Sequence, residues 1–156
     1  MTRKIDLLLA EYGESHQNHT NKAVHWICVP IIVWTVMVLF YSLPVPAAFA
    51  GTAWANWLTV VLALALIYYV VLSPTLAVGV AAYAAVGVYL IHAYQSAFSW
   101  PIWQFALLLF VLAWLGQFWG HKVEGKKPSF FKDVQFLLIG PAWLLSFIYR
   151  RLGIPV

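Results

Sequence analysis

At 156 residues, 63% apolar and only 9% charged, with nine tryptophans and a mean hydropathy of +0.83, the chain is too apolar for a water-soluble domain of its length. It has room for about four membrane spans of roughly 20 residues each and little for a separate soluble domain, so one all-α integral-membrane domain covering 1–156 is expected. The formal charge of +4 comes from nine Lys and Arg that flank apolar runs, and no nucleic-acid partner is expected.

The opening segment 1–15 (MTRKIDLLLAEYGES) is charged and lacks a small-residue cleavage site after a short apolar core, so it does not read as a removable signal peptide. Cys28 is the only cysteine, which rules out a disulfide within the chain. The first apolar run, 25–43, contains no Lys, Arg, Asp or Glu and ends at Pro44 and Pro46. A second run, 54–72, is broken by Ser73-Pro74 and followed by a third, 76–91, rich in Gly and Ala, so the two form an antiparallel hairpin. A fourth run, 101–119, leads into the charged stretch GHKVEGKKPSFFKD.

Arg3, Lys4 and Lys22 precede the first run and Lys122, Lys126, Lys127 and Lys132 follow the fourth, while the connections 44–53 and 93–100 hold no Lys or Arg. Four crossings put all these charges, and both termini, on the cytoplasmic side. The last apolar stretch, 134–149, is short, carries Gly140-Pro141 at its centre and is followed by Arg150 and Arg151. It is expected to be a re-entrant or interfacial helical hairpin returning to the cytoplasmic face.

This topology brings the histidine-rich entry SHQNHTNKAVHW (15–26) to the same membrane depth as the end of the fourth run. Thr20 or Asn18 can cap a helix that enters the membrane with Asn21 and His25 one turn apart on one face. A continuous helix would set His16 and His25 about 180° apart at roughly 100° per residue, so a turn must lie between them if they converge. At the other end Gln117, His121 and Glu124, spaced four and three apart, give one helix face an amide, an imidazole and a carboxylate. Polar groups so near hydrocarbon line a cavity or pair with one another.

Imidazole with carboxylate is a ligand set for iron, zinc or manganese, and three protein ligands with open positions suit non-haem Fe(II) oxygenases. Residue type and spacing alone favour the plainer alternative, interfacial histidines bonded to headgroups and backbone. His19, in the turn, reads as a solvated loop residue. His92 follows the third run and falls on the opposite side of the membrane, about 25 to 30 Å from the other four histidines. Glu124 has Lys126 or Lys127 as alternative ion partners, and the tryptophans read as interfacial belt and core.

EYGESHQNHTNKAVHWICVP, followed far downstream by LGQFWGHKVEGKKPSFFKDVQFLLIGP, resembles the family of fungal, plant and bacterial membrane proteins that includes the fungal 2-hydroxy fatty acid dioxygenase. The blocks that carry the resemblance are Tyr12, His16, Asn21 and His25, then Gln117, Phe118, Gly120, His121, Glu124 and Pro128. Family members often have proline where this chain has His19, and the fungal protein has one more residue between the histidine and the carboxylate equivalent to Glu124.

The resemblance implies an Fe(II) enzyme that uses dioxygen to shorten a 2-hydroxy fatty acid by one carbon. It implies His16, His25 and His121 as metal ligands, with the remaining positions open to the substrate's carboxylate and 2-hydroxyl and to dioxygen. Glu124 would complete the ligand set or, with Asn21, support it from behind. Lys122, Lys126 and Lys127 would attract the acid headgroup, with Tyr12 and Gln117 also among the substrate-binding candidates, while the acyl tail lies among apolar helix faces and membrane lipids. The expected location is the inner membrane of a bacterium or the endoplasmic reticulum of a eukaryote. Two alternatives stand beside this one: a non-enzymatic lipid-binding protein whose basic loop holds anionic headgroups, and a zinc-dependent membrane hydrolase.

Overall fold

The computed structural model describes residues 3–49, 51–52, 54–125 and 130–156, with side chains for all of these except 49 and 130–136. In chain order its helices are α1 (Lys4–Glu14), α2 (His19–Tyr41), α3 (Trp57–Leu72), α4 (Pro74–Ala97), α5 (Ile102–Glu124) and α6 (Phe130–Leu152), with one 3-10 turn at Ala47–Phe49. The architecture is an all-α bundle, as the composition predicts. Among the described residues, α2, α4 and α5, of 23, 24 and 23 residues, are long and apolar enough to cross a bilayer. α3 is an apolar helix of 16 residues, about 24 Å long at 1.5 Å per residue against roughly 30 Å of hydrocarbon. Large apolar side chains cover the outer faces, including Ile67 and Val71 on α3, Val78 on α4 and Leu112 and Leu115 on α5, a surface suited to lipid.

Local chemistry sets the helix boundaries. The Asn18 side-chain oxygen accepts from the Thr20 and Asn21 amides at 2.8 and 3.4 Å, so α2 starts at His19, just after the turn the two histidines require. Ser73 ends α3, with its amide on the Tyr69 carbonyl, and caps α4 by accepting from the Leu76 amide, with Pro74 in the first helical turn. This is the hairpin that Ser73-Pro74 predicts. α5 stops at Gly125, whose φ of 75° is open to glycine and strained for most other residues.

Two core clusters run through the bundle. One joins Ile5, Leu8, Leu9 and Tyr12 of α1 to Val29 of α2, Tyr69 of α3, Leu76 of α4 and Ile139, Ala142 and Trp143 of α6. The other joins Met37 and Val38 of α2 to Leu58, Ala84, Ile91, Ile102 and Ala106. Between them α2 lies closely along α5, because Gly116 and Gly120, four residues apart, leave no side chain in the seam. A Cβ on Gly116 would stand 2.8 Å from the Cys28 Sγ, and one on Gly120 would stand 2.6 Å from the Asn21 Oδ1. A pair of glycines one turn apart on an apolar helix is the small-residue motif that lets membrane helices approach closely.

The C-terminal segment corrects one expectation. Gly140-Pro141 does not reverse the chain into a hairpin: α6 is one helix from Phe130 to Leu152 with Pro141 inside it. Proline within a helix costs about 3 kcal/mol, and tertiary packing outweighs it here. Ile139 and Ala142 are fully buried, the Tyr69 hydroxyl donates to the Leu138 carbonyl in the turn before Pro141, and Gly140 leaves room for the Tyr12 ring. Pro30 in α2 is accommodated in the same way, with the Tyr83 hydroxyl donating to its carbonyl at 2.5 Å.

Candidate metal centre

Two helices and one turn bring three imidazoles together where α2 begins and α5 ends. His16 is in the turn after α1, His25 in the second turn of α2, and His121 in the last turn of α5. One ring nitrogen from each lies within 4.8 Å of the others, and the ring centroids are 4.2, 5.1 and 5.3 Å apart. His16 and His25 are buried and His121 is half-buried, so the cluster is closed on the α1 and α2 side and more open beside α5.

The hydrogen bonds fix what these rings can do. His16 Nδ1 faces the Tyr12 carbonyl at 2.6 Å and His25 Nδ1 faces the Asn21 carbonyl at 2.9 Å. A carbonyl only accepts, so each Nδ1 carries the proton and each Nε2 presents a bare lone pair. Those two Nε2 atoms face each other at 2.8 Å. Two lone pairs at that separation repel unless a cation lies against both. Burial, the largest cause, pushes the His16 pKa down to about 4, so at neutral pH a shared proton is not the cation. A metal ion suits the spacing, since two nitrogens at ~2.1 Å from one ion and at right angles are ~3.0 Å apart. His121 adds a buried Nδ1 with no hydrogen-bond partner among the described residues. The donor set fits a metal, and imidazole is borderline enough to take iron or zinc.

Glu124 has a definite place, and it is not among the three convergent groups. Its Oε1 accepts from the Gln17 amide at 2.9 Å, and its Oε2 accepts from the Asn18 amide at 2.9 Å and from Asn21 Nδ2 at 3.0 Å. Asn21, fully buried, also donates to the Ser15 carbonyl at 3.2 Å. The acid at the end of α5 therefore ties down the turn that carries His16. Gln117 is buried one turn before His121 on the same face, and its Oε1 has no partner among the described residues.

Tyr12 stacks on His16, with centroids 4.2 Å apart and planes within 8°. Lys122 is exposed in the last turn of α5, whereas Lys126, Lys127 and Pro128, and with them the Glu124 ion pairs expected there, fall outside the described residues. His19 is exposed at the start of α2, as expected of a solvated residue. His92 packs near Tyr41, the last residue of α2, with centroids 5.8 Å apart. Tyr41 is 16 residues beyond His25, about 24 Å along the helix, and His92 is not in the cluster.

Two features were absent from the sequence reading. Trp143 of α6, read only as belt or core, lies 5.3 Å from His16 and 5.4 Å from Tyr12 and walls one side of the site; nothing in its local sequence singles it out from the other tryptophans. The role of Gly116 was legible as G-x-x-x-G with Gly120 in an apolar run, a spacing that itself signals close helix contact.

No curated protein and no solved structure shows a significant match to the chain. One family model does match, described as 2-hydroxy-palmitic acid dioxygenase Mpo1-like, over residues 2–152. The match runs from before α1 to the end of α6 and so takes in every residue that builds the cluster. The chain belongs to the Mpo1-like family.

Proposed function

We propose that the chain works in a membrane as an iron(II)-dependent dioxygenase that shortens a 2-hydroxy fatty acid by one carbon, with His16, His25 and His121 holding the iron. The observation that carries this reading is the pair of Nε2 lone pairs turned on each other at 2.8 Å with a third imidazole beside them. Iron held by such a set supplies the redox chemistry that activates dioxygen, for which no side chain here is suited.

The protein's own groups do the positioning. The carbonyls of Tyr12 and Asn21 set the tautomers of His16 and His25, and Tyr12 with Trp143 keeps water from one side of His16. Glu124 and Asn21 hold the turn that presents His16. Lys122, with Lys126 and Lys127 in the following segment, attracts the carboxylate of the acid, and Tyr12 and Gln117 belong to the same substrate-binding set. The acyl tail stays among lipid-facing helix surfaces, so the substrate need not leave the bilayer.

In this reading α3 crosses together with α2, α4 and α5, and α6 lies at the cytoplasmic face beside α1. Both termini are then cytoplasmic, in a bacterial inner membrane or in the endoplasmic reticulum. The distribution of Lys and Arg supports that orientation; single cysteines labelled at each end with an impermeant reagent test it, and a C-terminus labelled from outside overturns it.

The decisive test of function is metal analysis of the purified protein followed by oxygen uptake with 2-hydroxypalmitate and with palmitate. The expected result is bound iron and uptake only with the hydroxy acid. Bound zinc with no uptake from either acid refutes the dioxygenase reading and favours the hydrolase.

A further inference from the structure

The cluster explains His16, His25, His121 and Glu124, and among the described residues it leaves two buried amide oxygens without hydrogen-bond donors, Asn21 Oδ1 and Gln117 Oε1. Asn21 Oδ1 has a structural account. It rests on the bare Cα of Gly120, only 2.6 Å from where a Cβ would stand, the close approach at which a Cα–H serves as a weak donor. Its amide nitrogen is committed to Ser15 and Glu124, so the side chain cannot turn over.

Gln117 has no such account. It is 5% exposed, and its oxygen is buried with no donor among the described residues. It sits one turn before His121 on the face of α5 that carries that imidazole. An unpaired buried amide oxygen is a costly group, and beside a site it has a ready partner in a ligand that brings a donor. A fatty carboxylate brings none, having only acceptor oxygens at neutral pH. A 2-hydroxy acid brings one, its O–H.

We propose that Gln117 is the residue that distinguishes a 2-hydroxy acid from a plain fatty acid, by accepting the hydrogen bond of the 2-hydroxyl at its side-chain oxygen. This rests on the dioxygenase reading and adds the group that selects the substrate. A site built to bond a hydroxyl rejects the analogue lacking it, because the polar group is then left buried and unpaired. The hydroxyl proton stays available for this bond even where the hydroxyl oxygen faces the metal, so the two demands do not compete.

The test uses metal-free full-length protein in detergent, which removes any preference due to the metal. In the wild type, 2-hydroxypalmitate should bind about 10-fold more tightly than palmitate, the worth of one well-placed buried hydrogen bond. In Gln117→Met, which keeps length and loses the acceptor, the two affinities should become nearly equal while bound iron in the reconstituted protein stays at the wild-type level. Equal affinities in the wild type, or a preference that survives in Gln117→Met, overturns the proposal.

Should Gln117→Met fail to fold, 2-fluoropalmitate on the wild type decides the matter. That ligand has no O–H, so binding as weak as palmitate supports the proposal and binding as tight as the hydroxy acid overturns it. Oxygen uptake separates the two levels. Uptake with 2-hydroxypalmitate together with a metal-free preference indifferent to Gln117 sinks this inference alone, while uptake with neither acid sinks the dioxygenase reading.

Discussion

Glu124→Ala separates a metal ligand from a residue that positions one. The substitution removes three hydrogen bonds, from the Gln17 and Asn18 amides and the Asn21 side chain, at 2.9, 2.9 and 3.0 Å. The carboxylate is partly open to water, so the freed donors can rehydrate and each bond counts toward the low end of its range, about 0.5–1 kcal/mol. The sum of about 1.5–3 kcal/mol acts on the turn that presents His16, which corresponds to roughly a 10- to 150-fold loss of metal affinity. Glu124→Gln keeps one carbonyl oxygen and turns an NH2 toward donors, so it should fall between alanine and wild type. The assay is competition for Fe(II) against a chelator of known affinity, with a thermal melt on the metal-free protein to report the turn itself. The reasoning fails if Glu124→Ala binds metal as well as the wild type. It fails in the other direction if Glu124→Gln loses metal as completely as His25→Ala, because the carboxylate is then a ligand.

The histidines give a clean contrast: His25→Ala or His121→Ala should abolish bound iron and oxygen uptake with the protein still inserted, whereas His92→Ala, at the far end of α2, should leave both nearly intact, as read by metal analysis and oxygen electrode. Gly120→Ala puts a methyl group 2.6 Å from Asn21 Oδ1 and 3.3 Å from Val24, so α2 and α5 must part; a loss of about 1–3 kcal/mol in stability and weakened metal binding are expected, measured by thermal denaturation and chelator competition. The pH dependence of the metal-free protein follows from His16, whose pKa is lowered from 6.5 to about 4 by burial. Between these values the unfolded chain holds a proton that the folded chain does not, so this contribution to stability is complete above about pH 6.5 and is lost as pH falls toward 4. Denaturation across that window should show a steeper slope in the wild type than in His16→Ala.

Much of this site was readable because membrane helices have so few polar residues. Once a segment is apolar enough to cross, each histidine or amide in it demands a reason, and the nine-residue step from His16 to His25 demands a turn, which Asn18 caps where the structure bends. The hairpin at Ser73-Pro74 was legible for the same reason, from a hydroxyl cap and a proline at the first helical turn. Gly140-Pro141 misled because a local breaker signal says nothing of the packing that overrides it. The Tyr69 hydroxyl comes from a helix about seventy residues away, and no pattern within 134–149 announces it. The helix α1 was missed although Ile5, Leu8, Leu9 and Tyr12 keep the i, i+3, i+4, i+7 spacing.

The placement of Glu124 shows why its role was beyond the sequence. A carboxylate in the last residue of a helix faces the negative end of that helix's dipole, an arrangement that costs a few tenths to about 1 kcal/mol. Taken alone, α5 would be better served by a lysine there. But α2 and α5 lie against each other in opposite directions, so the end of α5 stands beside the start of α2, where unpaired backbone N–H groups and the positive end of a second dipole are waiting. What is unfavourable within one helix becomes favourable between two. The glycines at 116 and 120 make this possible, because they let the helices approach until Glu124 reaches Gln17, Asn18 and Asn21. The same approach sets His25 and His121 at 5.1 Å. Helix contact, turn anchoring and ligand spacing are thus one geometric condition, and a change at Gly120, which is itself no ligand, should disturb the metal through all three.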